Sequence, residues 1–189
     1  MITYPGYLVY SGDMGCYVFS RLRDMFEFFR TDRLDTKDPS KLHINRGYWS
    51  EKLEAVDGNR RQAGATEFSP EKFRQVIKEY RLRWVREYRY VLDKEQRREL
   101  WEAVDNDVLR HLDDGEHAAY QHAHDFSWSA NPISHHRHGY HRRQRTFAFE
   151  DLWEHDFTEY THRFTWCCFA IAWAIRLYDA AKAPAKEAA

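Results

Sequence analysis

Hydrophobic positions recur at intervals of three and four along most of the chain, the spacing of amphipathic helices. From Asp13 onward, Met14, Tyr17, Val18, Leu22, Met25, Phe26 and Phe29 keep that spacing, with Arg21, Arg23 and Asp24 between them, and predict a helix to about Arg30. A short helix is expected over residues 50–56, stopped by the turn residues Asp57-Gly58-Asn59. The clearest signal opens at Ser69, which offers an N-cap hydroxyl, with Pro70 at the first helical position and Glu71 in the first turn. Phe73, Val76, Ile77, Tyr80, Trp84, Tyr88 and Val91 form its apolar stripe. Asp93, with Gln96 three residues on, predicts the start of another helix, striped by Leu100, Trp101, Val104, Val108 and Leu112. Little chain separates the two, so residues 70–112 read as an αα-hairpin. A short helix follows near residues 116–125, and a last one is expected from about 149 to 182. Its stretch from Phe164 to Ile175 is apolar nearly all round, as in a buried helix.

The N-terminal ITYPGYLVY is aromatic and β-branched and is broken by Pro5-Gly6, so it reads as a short strand or an extended arm. Residues 31–46 and 126–145 read as irregular, and the tail APAKEAA as solvated. The expected fold is therefore mainly α: a single-domain helical bundle over residues 1–182, with a disordered tail at 183–189. Its parts are the hairpin at about 70–112, a long buried C-terminal helix at about 149–182 and a short N-terminal strand.

Composition narrows the class without changing that picture. The 189 residues are 43% hydrophobic and 31% charged, which excludes a disordered chain and fits one domain. Lys+Arg 29 against Asp+Glu 30 leaves a formal net charge of −1, so attraction to nucleic acid must come from a local patch. The three cysteines, Cys16, Cys167 and Cys168, form neither a disulfide framework nor a zinc-finger spacing. The first residues lack the basic and apolar regions of a signal peptide. The apolar run at 164–175 falls short of the ~20 residues that cross a bilayer. A cytoplasmic protein without a membrane partner is expected.

Two constellations carry candidate chemistry. Ten of the eleven histidines lie between His111 and His162. His117, Gln121 and His124 share one helical face, and Asp151, His155 and His162 share another, with Asp156 and Glu159 beside them. Imidazoles and carboxylates are ligands for zinc, manganese and iron, so a divalent metal held by His117, His124, Asp125, His155 and Asp156 is one expectation. The same side chains also suit a solvated face paired with nearby acids. His124-Asp125 resembles the HD dipeptide of metal-dependent phosphohydrolases, whose metal activates water.

The second constellation is basic and aromatic. SHHRHGYHRRQR places Arg137, Arg142, Arg143 and Arg145 beside Tyr140 and the imidazoles of His135, His136, His138 and His141. Guanidinium groups next to aromatic rings suit phosphates and unstacked bases, and equally an acidic protein surface. Partner binding is therefore expected at Arg137, Tyr140, Arg142, Arg143, Arg145 and Trp128. Arg81, Arg83, Arg86 and Arg89 stud the helix of Trp84 and Tyr88, with Glu79 and Glu87 in reach, and read as a solvated face. No nucleophile elbow, P-loop or G-x-G-x-x-G occurs.

The segments ATEFSPEKFRQVIKEY, EHAAYQHAHDFSWSANPISHHRHGYH and FEDLWEHDF, within about residues 65–157, resemble a family of small His-rich helical proteins of unknown function from bacteria and their phages. That family carries a "SPEEF" segment, a "N-x-x-HH…Y" segment and a later "E…DW" helix. Its "HD…SK" before the Ser-Pro is replaced here by Gly64-Ala65-Thr66-Glu67. The resemblance implies metal positions at His117, His124, His135, His136 and Asp156. In size and in lacking enzyme motifs, the chain is also similar to phage-encoded inhibitors of bacterial defence. The function expected from these residues is a small intracellular interaction module that binds a nucleic acid, or a protein that handles one, through the His/Arg/aromatic segment. The alternative is a metal-dependent hydrolase.

Overall fold

The structure, a computed structural model, describes residues 1–30, 42–57, 64–130 and 145–182. The chain divides into two compact units, residues 1–67 with 159–189, and residues 68–158.

The first unit is built on a four-stranded antiparallel sheet in the order β1-β2-β3-β4: Ile2–Tyr4, Tyr7–Gly12, Gly15–Ser20 and Leu53–Val56. The register pairs Leu8 with Phe19, Tyr10 with Tyr17 and Gly12 with Gly15, so Asp13-Met14 is the whole of the β2–β3 turn. Gly15 has φ +116, a conformation that side-chain-bearing residues seldom adopt and that closes so tight a turn. Alternation buries Leu8, Tyr10, Tyr17 and Phe19 on one face. That face packs against α1 (Met25–Arg30), Trp49 of α2 (Arg46–Ser50) and one side of α6 (His162–Lys182). Phe164, Cys167, Cys168, Ile171, Ala172 and Ile175 supply the side of α6. Arg30 ties α1 to α6 through two hydrogen bonds to Asp179, at 2.6 and 3.0 Å.

The second unit gathers α3 (Pro70–Glu87), α4 (Lys94–Asp107) and α5 (Glu116–Asp125) around a hairpin of β6 (Ser127–Ala130) and β7 (Arg145–Ala148). A 3-10 turn, Leu109–Asp114, leads from α4 into α5. Ser69 caps α3 with Pro70 behind it, and Asp93 and Gln96 form a reciprocal capping box on α4. The core holds Phe73, Ile77, Leu100, Val104, Leu112, Ala119, Ala123, Phe147 and Phe157. One charge is buried among them. Arg81 is 1% exposed, donates to the Trp101 carbonyl at 2.9 Å and to Asp105 at 2.7 Å, and stacks 3.5 Å over the Trp101 ring. A further two-stranded sheet pairs β5 (Thr66–Phe68) with β8 (Thr158–Tyr160).

The expected mainly helical bundle is thus corrected: the described residues form eight strands in three sheets, a mixed α/β architecture. The helix expected from 13 to 30 is a hairpin strand followed by six helical residues. Tyr17 and Phe19 are buried by two-residue alternation, and the three–four spacing across Met14, Tyr17 and Val18 is a coincidence of a dense aromatic segment. Residues 50–56 hold the end of α2 and strand β4. The last helix begins at His162, not 149: Leu152–Glu154 is a 3-10 turn and Thr158–Tyr160 a strand. The Thr161 hydroxyl accepts from the Phe164 N–H at 3.1 Å and starts the helix there. The helices expected over 70–112 are present as α3 and α4, and the N-terminal segment is strand. The tail expectation at 183–189 lies outside the described residues. No helix among the described residues is long and apolar enough to cross a membrane.

Candidate functional site

Two surface features of the second unit gather the side chains singled out by the sequence. The first is a cleft of about 630 Å³. Its α5 wall is His117, Tyr120, Gln121, His124 and Asp125, one helical face by spacing. The opposite wall is Phe149, Asp151, Leu152 and Trp153. Asp151 adopts the left-handed region, φ 56, which aspartate tolerates better than most residues and which opens the 3-10 turn beside it. Trp153 is 75% exposed. The Asp125 carboxylate accepts from the Gln121 amide at 2.7 Å and lies 3.0 Å from the His124 imidazole. The His124 and Gln121 hydrogen bonds hold its pKa below the usual carboxylate range. Burial, with Glu116 and Asp156 nearby, pushes the Tyr120 hydroxyl up.

The second feature is an aromatic ladder on α3. Tyr80, Trp84 and Tyr88 stand four residues apart, so they share one face. The hairpin covers its middle: Trp84 meets Trp128 at 5.9 Å and Phe147 at 5.5 Å between ring centroids. Guanidinium groups lie along its edges. Arg83 stands 5.3 Å over Tyr80, Arg145 5.2 Å over Tyr88, and Arg89 4.4 Å over Tyr90. Arg83, Arg86, Arg89 and Arg145 are exposed, and none has a carboxylate within ion-pair distance among the described residues. Other arginines carry an acid partner, Arg30 with Asp179, Arg81 with Asp105 and Arg98 with Glu102. Tyr90 is 83% exposed, an open ring face. The β6–β7 pairing ends at Ala130 opposite Arg145, the two residues that bound the His/Arg-rich stretch of the sequence.

Of the residues expected to bind metal, His117, His124 and Asp125 line the cleft. His155 and Asp156 are held elsewhere: the His155 Nε2 lies 3.1 Å from the Tyr80 hydroxyl, and one Asp156 oxygen accepts from the Thr158 N–H and hydroxyl. Those bonds from Thr158 lower the Asp156 pKa. Among the described residues no three His, Cys, Asp or Glu side chains stand together as a ligand set for a metal ion. His111 and His122 stack on each other at 3.8 Å, so the described imidazoles do not form one cluster. Of the residues expected to bind a partner, Arg145 is exposed and Trp128 is packed into the ladder, half-buried. Arg137, Tyr140, Arg142 and Arg143 lie outside the described residues, as do His135, His136, His138 and His141.

The sequence places Arg83, Arg86 and Arg89 on a solvated face and does not show the rings beneath Arg83 and Arg89. The signal was present, since Tyr80, Trp84 and Tyr88 repeat at four-residue spacing with arginines between. Trp153 was missed because the segment read as helix interior. Burial raises the Cys167 and Cys168 thiols, Cys168 to about 12, which disfavours the thiolate at both.

Comparison with known proteins finds no matching family model, no matching curated protein and no matching solved structure.

Proposed function

We propose that the chain is an intracellular interaction module that binds single-stranded nucleic acid along the arginine-edged aromatic ladder of α3 and β7. The observation that carries this reading is the pairing of Arg83, Arg89 and Arg145 with tyrosine rings, with no carboxylate from the described residues neutralising them. Phosphates are attracted by guanidinium groups that have no internal acid to satisfy. Bases stack on ring faces, and every base has a π-face, so such a ladder binds with little sequence preference. With a net charge of −1 the protein has no long-range field to draw the strand in, so the local patch supplies the whole attraction. The three cysteines are free thiols, which fits a reducing compartment.

Fluorescence anisotropy with labelled single-stranded oligonucleotides tests this. Wild type binds at low salt, and Arg86→Glu/Arg89→Glu/Arg145→Glu loses binding with its melting temperature retained. Absence of wild-type binding to both DNA and RNA strands, or undiminished binding by the triple variant, contradicts it.

A second reading, metal-dependent hydrolysis, is favoured by one observation: His117, His124 and Asp125 share the α5 cleft with Asp151. Metal analysis of protein purified without a histidine-affinity column tests it. Stoichiometric zinc, manganese or iron that is lost on His124→Ala supports it. Metal-free protein whose melting is unchanged by chelator removes it.

A further inference from the structure

The α5 cleft of the second unit is one-sided in charge. Among the described residues its lining holds two carboxylates, Asp125 and Asp151, and neither lysine nor arginine. More acids than bases bear on its surroundings: Glu116 and Asp156 act on the Tyr120 hydroxyl, and Asp151, Glu154 and Glu150 on the Tyr80 hydroxyl, against Arg83 and Lys72. Hydrogen-bonding capacity leans the same way. A carboxylate only accepts, so the Gln121 amide N–H donates to Asp125, at 2.7 Å, and leaves the Gln121 carbonyl oxygen as a further acceptor beside it. The rest of the lining is largely apolar. Phe149 and Leu152 are buried, while Trp153 is 75% exposed and so contributes little to the core.

This division of the lining says what fits it. The cleft, about 630 Å³, is of the size that holds small molecules, ~300–1,000 Å³. An anion would meet carboxylates with no ammonium or guanidinium to answer it. A bare metal ion needs ligands gathered on one point, and among the described residues no such set of three stands together. An organic cation meets both halves of the lining. A primary ammonium carries only N–H donors, which suits the acceptors of Asp125, Gln121 and Asp151. A ring joined to it lies against Phe149, Leu152 and the open face of Trp153, and that face attracts the cation as well. We infer that the α5 cleft binds a small aromatic amine, a primary alkylammonium joined to an aromatic ring. The site is independent of the strand-binding reading, which uses the arginine-edged ladder.

Ligand-detected NMR titration of the full chain tests this with three probes of one shape: 2-phenylethylamine, its neutral counterpart 2-phenylethanol and the anionic 3-phenylpropanoate. The titrations are run at about pH 8, where an ordinary imidazole is uncharged and an alkylammonium still charged. Wild type binds the amine, binds the alcohol ~5–10-fold more weakly, and does not bind the carboxylate. Asp125→Asn/Asp151→Asn removes the charges and keeps the shape, and asparagine tolerates the left-handed backbone at position 151. In that variant the amine and the alcohol bind equally. Trp153→Ala, at an exposed position, weakens both probes while its melting temperature is retained. Absence of saturable amine binding at millimolar concentration overturns the inference. So does equal binding of amine and alcohol by wild type, a preference for the amine that survives the double substitution, or unchanged affinity in Trp153→Ala. Stoichiometric metal lost on His124→Ala, the outcome that the hydrolase reading requires, also overturns it.

Discussion

Both units carry a row of aromatic rings on a helix, exposed on α6 and half-buried on α3, and the neighbours of those rings differ. On α6 of the first unit, Trp166, Phe169 and Trp173 are interleaved with Ala170 and Ala174. On α3 of the second, Tyr80, Tyr88 and the adjoining Tyr90 are flanked by Arg83, Arg145 and Arg89. A ring beside alanine has only apolar area to offer and suits another apolar face. A ring beside an unpaired guanidinium offers a stacking plane and a phosphate site together. Exposed aromatic area alone therefore does not say what binds; the charge beside it does.

The comparison requires that the inner face of α6 be core and its outer face be surface. Phe164→Ala, which removes a fully buried ring, is expected to cost ~3–5 kcal/mol of stability in urea unfolding. A loss below ~1 kcal/mol would mean that the two faces are not distinct in this way.

The first unit also holds every thiol of the chain, and this sharpens the contrast at high pH. Burial raises Cys167 and Cys168, and pushes the Tyr17 hydroxyl up to about 12. The folded state keeps these protons where the unfolded chain gives them up, from about pH 8.5 for a thiol and 10 for a phenol. Stability is thus complete below the unfolded values and falls as pH rises, by about 1.4 kcal/mol per pH unit for each group involved. Urea midpoints that decline above about pH 8.5, and decline less in Cys167→Ala/Cys168→Ala, fit the account; a flat wild-type profile does not.

Within the second unit the contrast lies between paired and unpaired arginines. Asp105→Ala strands the buried Arg81 charge, and the usual cost of ~3–5 kcal/mol falls to about 2–3 because Asp105 is half-exposed and screened. Reversing Arg86 or Arg89 is expected to change stability by less than ~0.5 kcal/mol. Equal effects on stability would erase the distinction on which the binding surface rests. A further prediction concerns a single ring. Tyr88→Ala removes the plane under Arg145 and is expected to weaken oligonucleotide binding by ~1–3 kcal/mol, read as anisotropy at fixed salt.

The parts of the fold legible in the sequence are those in which one local rule acts alone. Ser69-Pro70 and the Asp93/Gln96 box announce α3 and α4 because capping groups satisfy backbone N–H donors within three residues. Of the N-terminal sheet only residues 2–10 were legible as extended, because Met14 to Phe29 is so rich in apolar residues that periods of two and of three to four both fit it. The hairpin pairing of Leu8 with Phe19 selects the strand. Residues 149–161 looked helical by spacing, and the left-handed Asp151 and the pairing of Thr158–Tyr160 interrupt them. At the candidate site the residue types were visible and their partners were not. Arg81 and Arg83 are two positions apart in the same helix, yet one is buried on Asp105 and the other lies open over Tyr80.

The central claim is that the unpaired arginines are a phosphate-binding surface. The salt dependence of single-strand affinity measures it directly, since each neutralised phosphate contributes ~0.7 to the slope of log affinity against log salt. The account predicts that Arg89→Glu/Arg145→Glu lowers that slope by about 1 to 2, while Arg98→Glu, at an arginine already paired with Glu102, leaves it unchanged. Equal slopes for the two variants would contradict it.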